Sequence, residues 1–164
     1  MKNLTDFIQE NLQQKLIKEA LHGVKPADEK LFWKWVKDLG EVGTKYDITN
    51  VISKNEDDFY KKVADLGTTP EQFETFCDVF FTIANQFGEL IEDDDAGDNF
   101  GSDDSVEYAT WAAPFYGEKD VTKALKDKDY SLCDSWGEEV GYAMDRDTYE
   151  EYLEDNELEP KGYK

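Results

Sequence analysis

The sequence predicts a mainly α-helical fold: a single compact domain of about six to seven helices around a central helix over residues 70–91. Apolar residues recur at three- and four-residue intervals along most of the chain, which is typical of amphipathic helices. Helix-start signals precede several of these stretches. The length of 164 residues favours one domain, with a near-neutral helical half over 1–67 and a strongly acidic half over 68–164.

The near-neutral half is predicted to contain three helices, each with an apolar stripe and recognisable end signals. They run from Thr5 to Leu21, from Pro26 to a stop at Gly40, and from a capping box at Ser53 and Glu56 to a stop at Gly67. β-Branched residues and glycines between the second and third helices leave a short strand or hairpin near 44–52 as an alternative.

The central helix has the strongest start signal in the chain. Thr69 is predicted to cap it, Pro70 takes the first helical position, and Gln72 completes a capping box. The residues that follow are apolar on most of the helix circumference, which predicts a buried helix. Cys77 lies in this stretch and is predicted to be a small core residue, not a reactive thiol.

The acidic half is predicted to continue with loops and short helices. Residues 106–112 have both helix and strand character, so a strand or hairpin there stays open. The predicted elements are an acidic loop over 92–105, a short helix from Asp120 to Leu125, two helices that follow capping boxes at Ser135/Glu138 and Asp147/Glu150, and a frayed tail from Pro160.

The net charge is −21, because 39 acidic residues oppose 18 Lys and Arg. Residues 68–164 hold 27 acidic and 7 basic residues, whereas residues 1–67 hold 12 acidic and 11 basic residues, so nearly all of the excess negative charge lies in the second segment. Direct nucleic-acid binding is therefore not expected, since Lys and Arg must neutralise the phosphates of a duplex. The asymmetry favours a basic protein as the partner.

The usual catalytic and cofactor motifs are not found in this sequence. Histidine occurs once, at His22, and arginine once, at Arg146. Cys77 and Cys133 do not have the spacing of zinc ligands, and no glycine-rich phosphate-binding loop occurs. We therefore expect a non-enzymatic protein with no cofactor and no metal.

The composition also predicts a compartment. No apolar stretch approaches 18 residues, and the sequence MKNLTDFIQENL lacks the apolar region of a signal peptide. Two cysteines are too few for a disulfide framework, which fits a reducing environment. We expect a cytoplasmic protein that does not contact a membrane. A homodimer stays open.

One pair of carboxylate motifs resembles a metal-binding family. Glu71-x-x-Glu74 and Glu89-x-x-Glu92 are similar, in spacing alone, to the motifs that hold magnesium in all-α nucleotide pyrophosphatases. That family brings the two pairs together from different helices. Here one uninterrupted helix would hold Glu71 and Glu89 about 27 Å apart, which is too far for one Mg²⁺ site.

The loop over 92–104 carries seven carboxylates in 13 residues. It leaves a Ca²⁺- or Mg²⁺-binding module, or a carboxylate-based enzyme, as an alternative function, although the residue order of an EF-hand is absent. The same carboxylates are candidates for contact with a basic partner: Glu92, Asp93, Asp94, Asp95, Asp98, Asp103 and Asp104.

The segment 145–159 carries eight acidic residues, opposed only by Arg146. Like charges four residues apart on a helix, such as Glu150 and Glu154, each cost a few tenths of a kcal/mol. Stability alone does not favour this pattern, and tyrosines, which often anchor interfaces, are interleaved with the acids. The predicted partner-binding residues here are Asp145, Asp147, Tyr149, Glu150, Glu151, Tyr152, Glu154 and Asp155.

These features favour a non-enzymatic inhibitor that mimics nucleic acid and blocks a basic nuclease or DNA-binding protein. Acids three or four residues apart on a helix give a charge about every 4.5–6 Å, and a duplex carries roughly one per 1.7 Å counting both strands. The chain resembles, in size and charge, the small acidic anti-restriction and anti-CRISPR proteins of phages and mobile elements. An immunity or antitoxin-like protein that neutralises a nuclease toxin is the alternative.

Overall fold

The computed structural model describes residues 24–94, 103–133 and 137–164, and within these ranges the fold is all-helical, as predicted. The predicted helix from Thr5 to Leu21 and the capping residue Ser135 lie outside the described residues. Eight α-helices are described: α1 (Pro26–Leu39), α2 (Ile48–Lys54), α3 (Glu56–Asp65), α4 (Pro70–Asp93), α5 (Asp103–Trp111), α6 (Glu118–Asp127), α7 (Glu138–Ala143) and α8 (Arg146–Asp155). Two 3₁₀ turns, Ala113–Tyr116 and Ser131–Cys133, flank α6.

Helix α4 is the predicted central helix, and it packs against α1, α5 and α8. Its start is the expected capping box, in which the Gln72 amide donates to the Thr69 hydroxyl and the Thr69 amide donates to the Gln72 side chain. Nine of its side chains are buried. Aromatic rings fill much of the surrounding core; Trp35 of α1, for example, lies 4.8 Å from Phe76 between ring centroids. Both halves of the sequence therefore share one hydrophobic core.

Both strand alternatives are wrong. Residues 48–54 form α2, which Asp47 caps through its side chain by accepting from the amide and hydroxyl of Thr49. Ile48 and Ile52 are four residues apart and both buried, so the β-branched residues follow helical spacing. Residues 106–111 belong to α5, where Ala109 and Thr110 are buried against the core.

Several helices begin at residues other than the predicted ones. Asn55, not Ser53, caps α3 by accepting from the amide of Asp57. Asp145, not Asp147, caps α8 by accepting from the amide and hydroxyl of Thr148. Each cap lies immediately before its helix, where the free amides of the first turn are within reach.

The tail after Pro160 is packed, so the prediction of a frayed end is wrong. The Gly162 amide donates to the Gly67 carbonyl at 2.8 Å, and the Tyr163 amide donates to Gln72 at 2.7 Å. Tyr163 is 6% exposed, and its hydroxyl donates to Asp38 of α1 at 2.6 Å. The tail thus ties α1 to the start of α4, close to α8.

Candidate acidic binding surface

Helix α8 is fixed to the core by its apolar face. Tyr149 is fully buried, with its ring centroid 4.7 Å from that of Phe73 and its hydroxyl donating to the Thr68 carbonyl at 2.8 Å. Leu153, one turn later, is also buried. Burial raises the pKa of Tyr149, so its hydroxyl stays a neutral donor. The prediction that Tyr149 contacts a partner is therefore wrong, because the ring faces the core.

The opposite face of α8 carries four exposed carboxylates, which we call the acidic row: Asp147, Glu151, Glu154 and Asp155. Successive members lie about 6, 4.5 and 1.5 Å apart along the helix axis. Among the described residues, no Lys or Arg nitrogen lies within 4 Å of these carboxylates. Within the described part of the chain, the row is therefore negative charge without an ion-pair partner on a packed helix.

Tyr152 lies at the contact between α8 and α3. Its ring centroid is 5.7 Å from that of Tyr60, and the side chain is partly exposed. Burial raises the pKa of its hydroxyl, and the negative charges of Asp57, Asp65 and Asp58 on α3 raise it further, against the opposite effect of Lys61. The charges of Asp57 and Asp58 therefore act on Tyr152 of α8, and Asp65 does so while paired with Lys61 at 2.7 Å.

Helix α3 was not part of the predicted surface, although it carries a recognisable signal. Its first turn is the run Glu56-Asp57-Asp58, and all three residues are exposed. Such a run also stabilises the N-terminus of a helix, so it does not by itself indicate a binding surface. Its position against α8 extends the acidic surface into the near-neutral half of the sequence.

Arg146 neutralises the side of α8 that faces α4. One of its terminal nitrogens donates to Glu74 at 2.6 Å, and its Nε lies 3.6 Å from a Glu150 oxygen. Glu150 is only partly exposed, whereas Asp145 is exposed and engaged as the cap of α8. Glu150 and Asp145 thus have partners within the fold, whereas the acidic row has no ion-pair partner among the residues that the structure describes.

The second predicted segment, 92–104, lies at the other end of α4. Glu92, Asp93 and Asp94 are exposed at its C-terminus, and Asp94 accepts a hydrogen bond of 2.7 Å from the Tyr130 hydroxyl. Asp103 and Asp104 begin α5, whereas Asp95 and Asp98 lie outside the described residues. Glu92 follows Glu74 by 18 residues, so about 27 Å of helix separates the two segments.

Within the described ranges, no group of three or more His, Cys, Asp or Glu side chains is arranged to hold a metal ion. The uninterrupted helix α4 also keeps Glu71 and Glu89 apart. Cys77 and Cys133 are both buried, and burial raises the pKa of Cys77, as expected for a core thiol. His22 lies outside the described residues.

Comparisons with protein-family models, curated proteins and solved structures find no match to this chain. None of the helices in the described part of the chain has the length and apolar character needed to cross a membrane.

Proposed function

We propose that this protein is a non-enzymatic inhibitor that mimics nucleic acid and occupies the cationic cleft of a nuclease or DNA-binding protein, as phage-encoded anti-restriction or anti-CRISPR proteins do. The observation that carries the proposal is the acidic row, which has no basic partner among the described residues and stands on a helix anchored by Tyr149 and Leu153. Helix α3 packs against α8 and adds the exposed carboxylates of its first turn, Glu56, Asp57 and Asp58, to this surface.

The charge arrangement suits fast and competitive binding. A basic cleft attracts an anionic surface over a distance set by salt, and complementary fields raise association rates. Because α8 and α3 are packed on the core, their charges need little ordering on binding, which lowers the entropic cost of association. The row would occupy the space that phosphates take in the partner's normal complex.

The test is capture on the immobilised full chain from a host lysate, followed by identification of the retained protein. We expect a nucleic-acid-binding protein that is released both by about 0.5 M salt and by excess duplex DNA. Retention that neither treatment weakens contradicts the proposal, because a charge-based mimic is screened by salt and displaced by the ligand it copies.

An immunity protein that neutralises a cognate nuclease toxin would use the same surface. The identity of the retained protein separates the two functions: a toxin encoded beside this chain supports immunity, and a restriction enzyme or CRISPR effector supports the proposed inhibitor.

A further inference from the structure

A groove runs between the C-terminal end of α8 and the start of α4. Its volume is about 460 Å³, and it combines an apolar floor with a carboxylate rim. The residues that line it are Thr69, Pro70, Leu153, Leu158 and Pro160, together with Glu71, Glu150, Glu154, Glu157 and Glu159. Leu158 is 40% exposed, so the groove offers apolar surface to a ligand.

The turn that ends α8 builds this groove. The Leu158 amide donates to the Leu153 carbonyl at 2.9 Å, and the Glu157 amide donates to the Glu154 carbonyl at 3.1 Å, which is the bond pattern of a Schellman motif. Glu157 has a φ of 54°, in the left-handed region where glycine is usual. The turn thus places a carboxylate beside Leu158 at some cost to the fold.

The rim is strongly anionic. Hydrogen bonds from its own backbone amide and from the Thr69 side chain lower the pKa of Glu71, so this carboxylate stays charged. Two rim residues have a cation nearby: Glu150 lies 3.6 Å from Arg146, and Glu159 lies 3.4 Å from the highly exposed Lys161. The rim therefore complements a basic ligand, and the floor complements an apolar one.

We infer that the groove binds a short basic segment of the partner protein, in which one apolar side chain lies between Lys or Arg residues. The apolar side chain packs on Leu158 and Leu153, and the flanking cations meet the rim. This inference rests on the proposed function and deepens it, because an apolar contact gives a binding contribution that salt does not screen. The acidic row would then supply steering, and the groove would select the partner.

The experiment is an NMR titration of the full chain with the capped peptide Lys-Lys-Leu-Lys-Lys, beside a control peptide in which glycine replaces leucine. We expect shifts confined to the groove and a dissociation constant about fivefold lower for the leucine peptide, since an open groove buries only part of the leucine side chain and full burial would yield about tenfold or more. Equal binding of both peptides, or shifts spread over all acidic helices, overturns the inference.

Two variants and a control sharpen this test. Leu158→Ala should remove the preference for the leucine peptide, whereas Tyr46→Ala, which trims an exposed large side chain outside the groove, should leave it unchanged. Glu157→Gly removes a rim charge and relieves the left-handed backbone, so both peptides should bind about twofold more weakly while the melting temperature rises. A preference that survives Leu158→Ala contradicts the inference.

The two proposals can fail separately. If the peptides do not shift the groove but the acidic row still captures a nucleic-acid-binding protein, the groove inference falls and the proposed function stands. If the leucine peptide binds the groove but the captured partner does not bind nucleic acid, the proposed function falls. Nuclear Overhauser contacts from Leu158 to a second copy of the chain would also overturn the inference.

Discussion

Reversing the acidic row should weaken partner binding and stabilise the fold at the same time. The change is Glu151→Lys with Glu154→Lys and Asp155→Lys, which moves the net charge from −21 to −15. At about 1 kcal/mol for each exposed ion pair, the loss of three pairs weakens binding on the order of 100-fold. Glu150 is left in place because it lies against Arg146.

The stability gain follows from the position of these residues on α8. The last turn of α8 has no basic residue, so its carboxylates oppose the helix dipole, and Glu151 and Asp155 repel each other. Reversal makes the interaction with the dipole favourable and places lysines four residues after Asp147 and Glu150, whereas the two lysines at 151 and 155 still repel each other. The net gain is about 1 kcal/mol. We expect the melting temperature to rise by about 3 °C for a chain of this size.

The chain offers a closely matched control. Helix α4 ends with Glu89-Leu90-Ile91-Glu92-Asp93, the same arrangement of acids as Glu151-Tyr152-Leu153-Glu154-Asp155 at the end of α8. The variant Glu89→Lys with Glu92→Lys and Asp93→Lys makes the same change in charge at a matching helix position.

Differential scanning fluorimetry and a binding titration with the captured partner compare the two triple variants. Both should melt higher than the natural chain, and the α8 variant alone should lose binding. Equal losses would show that net charge, not the acidic row, controls binding. Loss in the α4 variant alone would place the site at 92–104, and a lower melting temperature for the α8 variant would refute the stability reasoning.

Further predictions concern the tail and the cysteines. Tyr163→Ala should destabilise the fold by about 3 kcal/mol in chemical unfolding, because it removes a buried ring and its hydrogen bond to Asp38; an unchanged midpoint would refute a structural role for the tail. The hydrogen bond from Tyr163, with a further one from Lys34, lowers the pKa of Asp38. Protonation at acid pH removes this stabilisation, so the advantage of the natural chain over Asp38→Asn should begin to shrink as the pH falls below about 4 and should vanish below the lowered pKa of Asp38; a constant difference in melting temperature would contradict it. Cys77 and Cys133 should resist a thiol reagent until the chain unfolds, and rapid native labelling would contradict their burial.

The local chemistry of the sequence was sufficient to predict the central helix. Thr69, Pro70 and Gln72 lie within four residues of one another and form the first turn of the helix and its cap. Their roles therefore do not depend on distant parts of the chain. The caps Asn55 and Asp145 do not follow from the capping-box pattern, because they lack a Glu or Gln three residues later. Ser53 and Asp147 have that Glu, at positions 56 and 150, and so match the pattern better.

The tail and the surface depend on contacts between distant residues. Tyr163 is held by Asp38 and Gln72, which precede it by 125 and 91 residues, and no local pattern encodes these bonds. Tyr149 and Tyr152 both lie between acidic residues in the sequence, so the local pattern does not distinguish them. The way in which α8 packs against α4 and α3 buries Tyr149 in the core and leaves Tyr152 partly exposed.

The most direct test of the central claim is a displacement titration. A fluorescent DNA duplex is first bound to the captured partner, and the full chain is then added while fluorescence anisotropy is recorded. Mimicry predicts complete release of the duplex, an apparent affinity for the duplex that falls in proportion to the added chain, and no release by the α8 triple variant. A stable complex of partner, duplex and chain would contradict the claim, because two ligands of one cleft cannot be bound together.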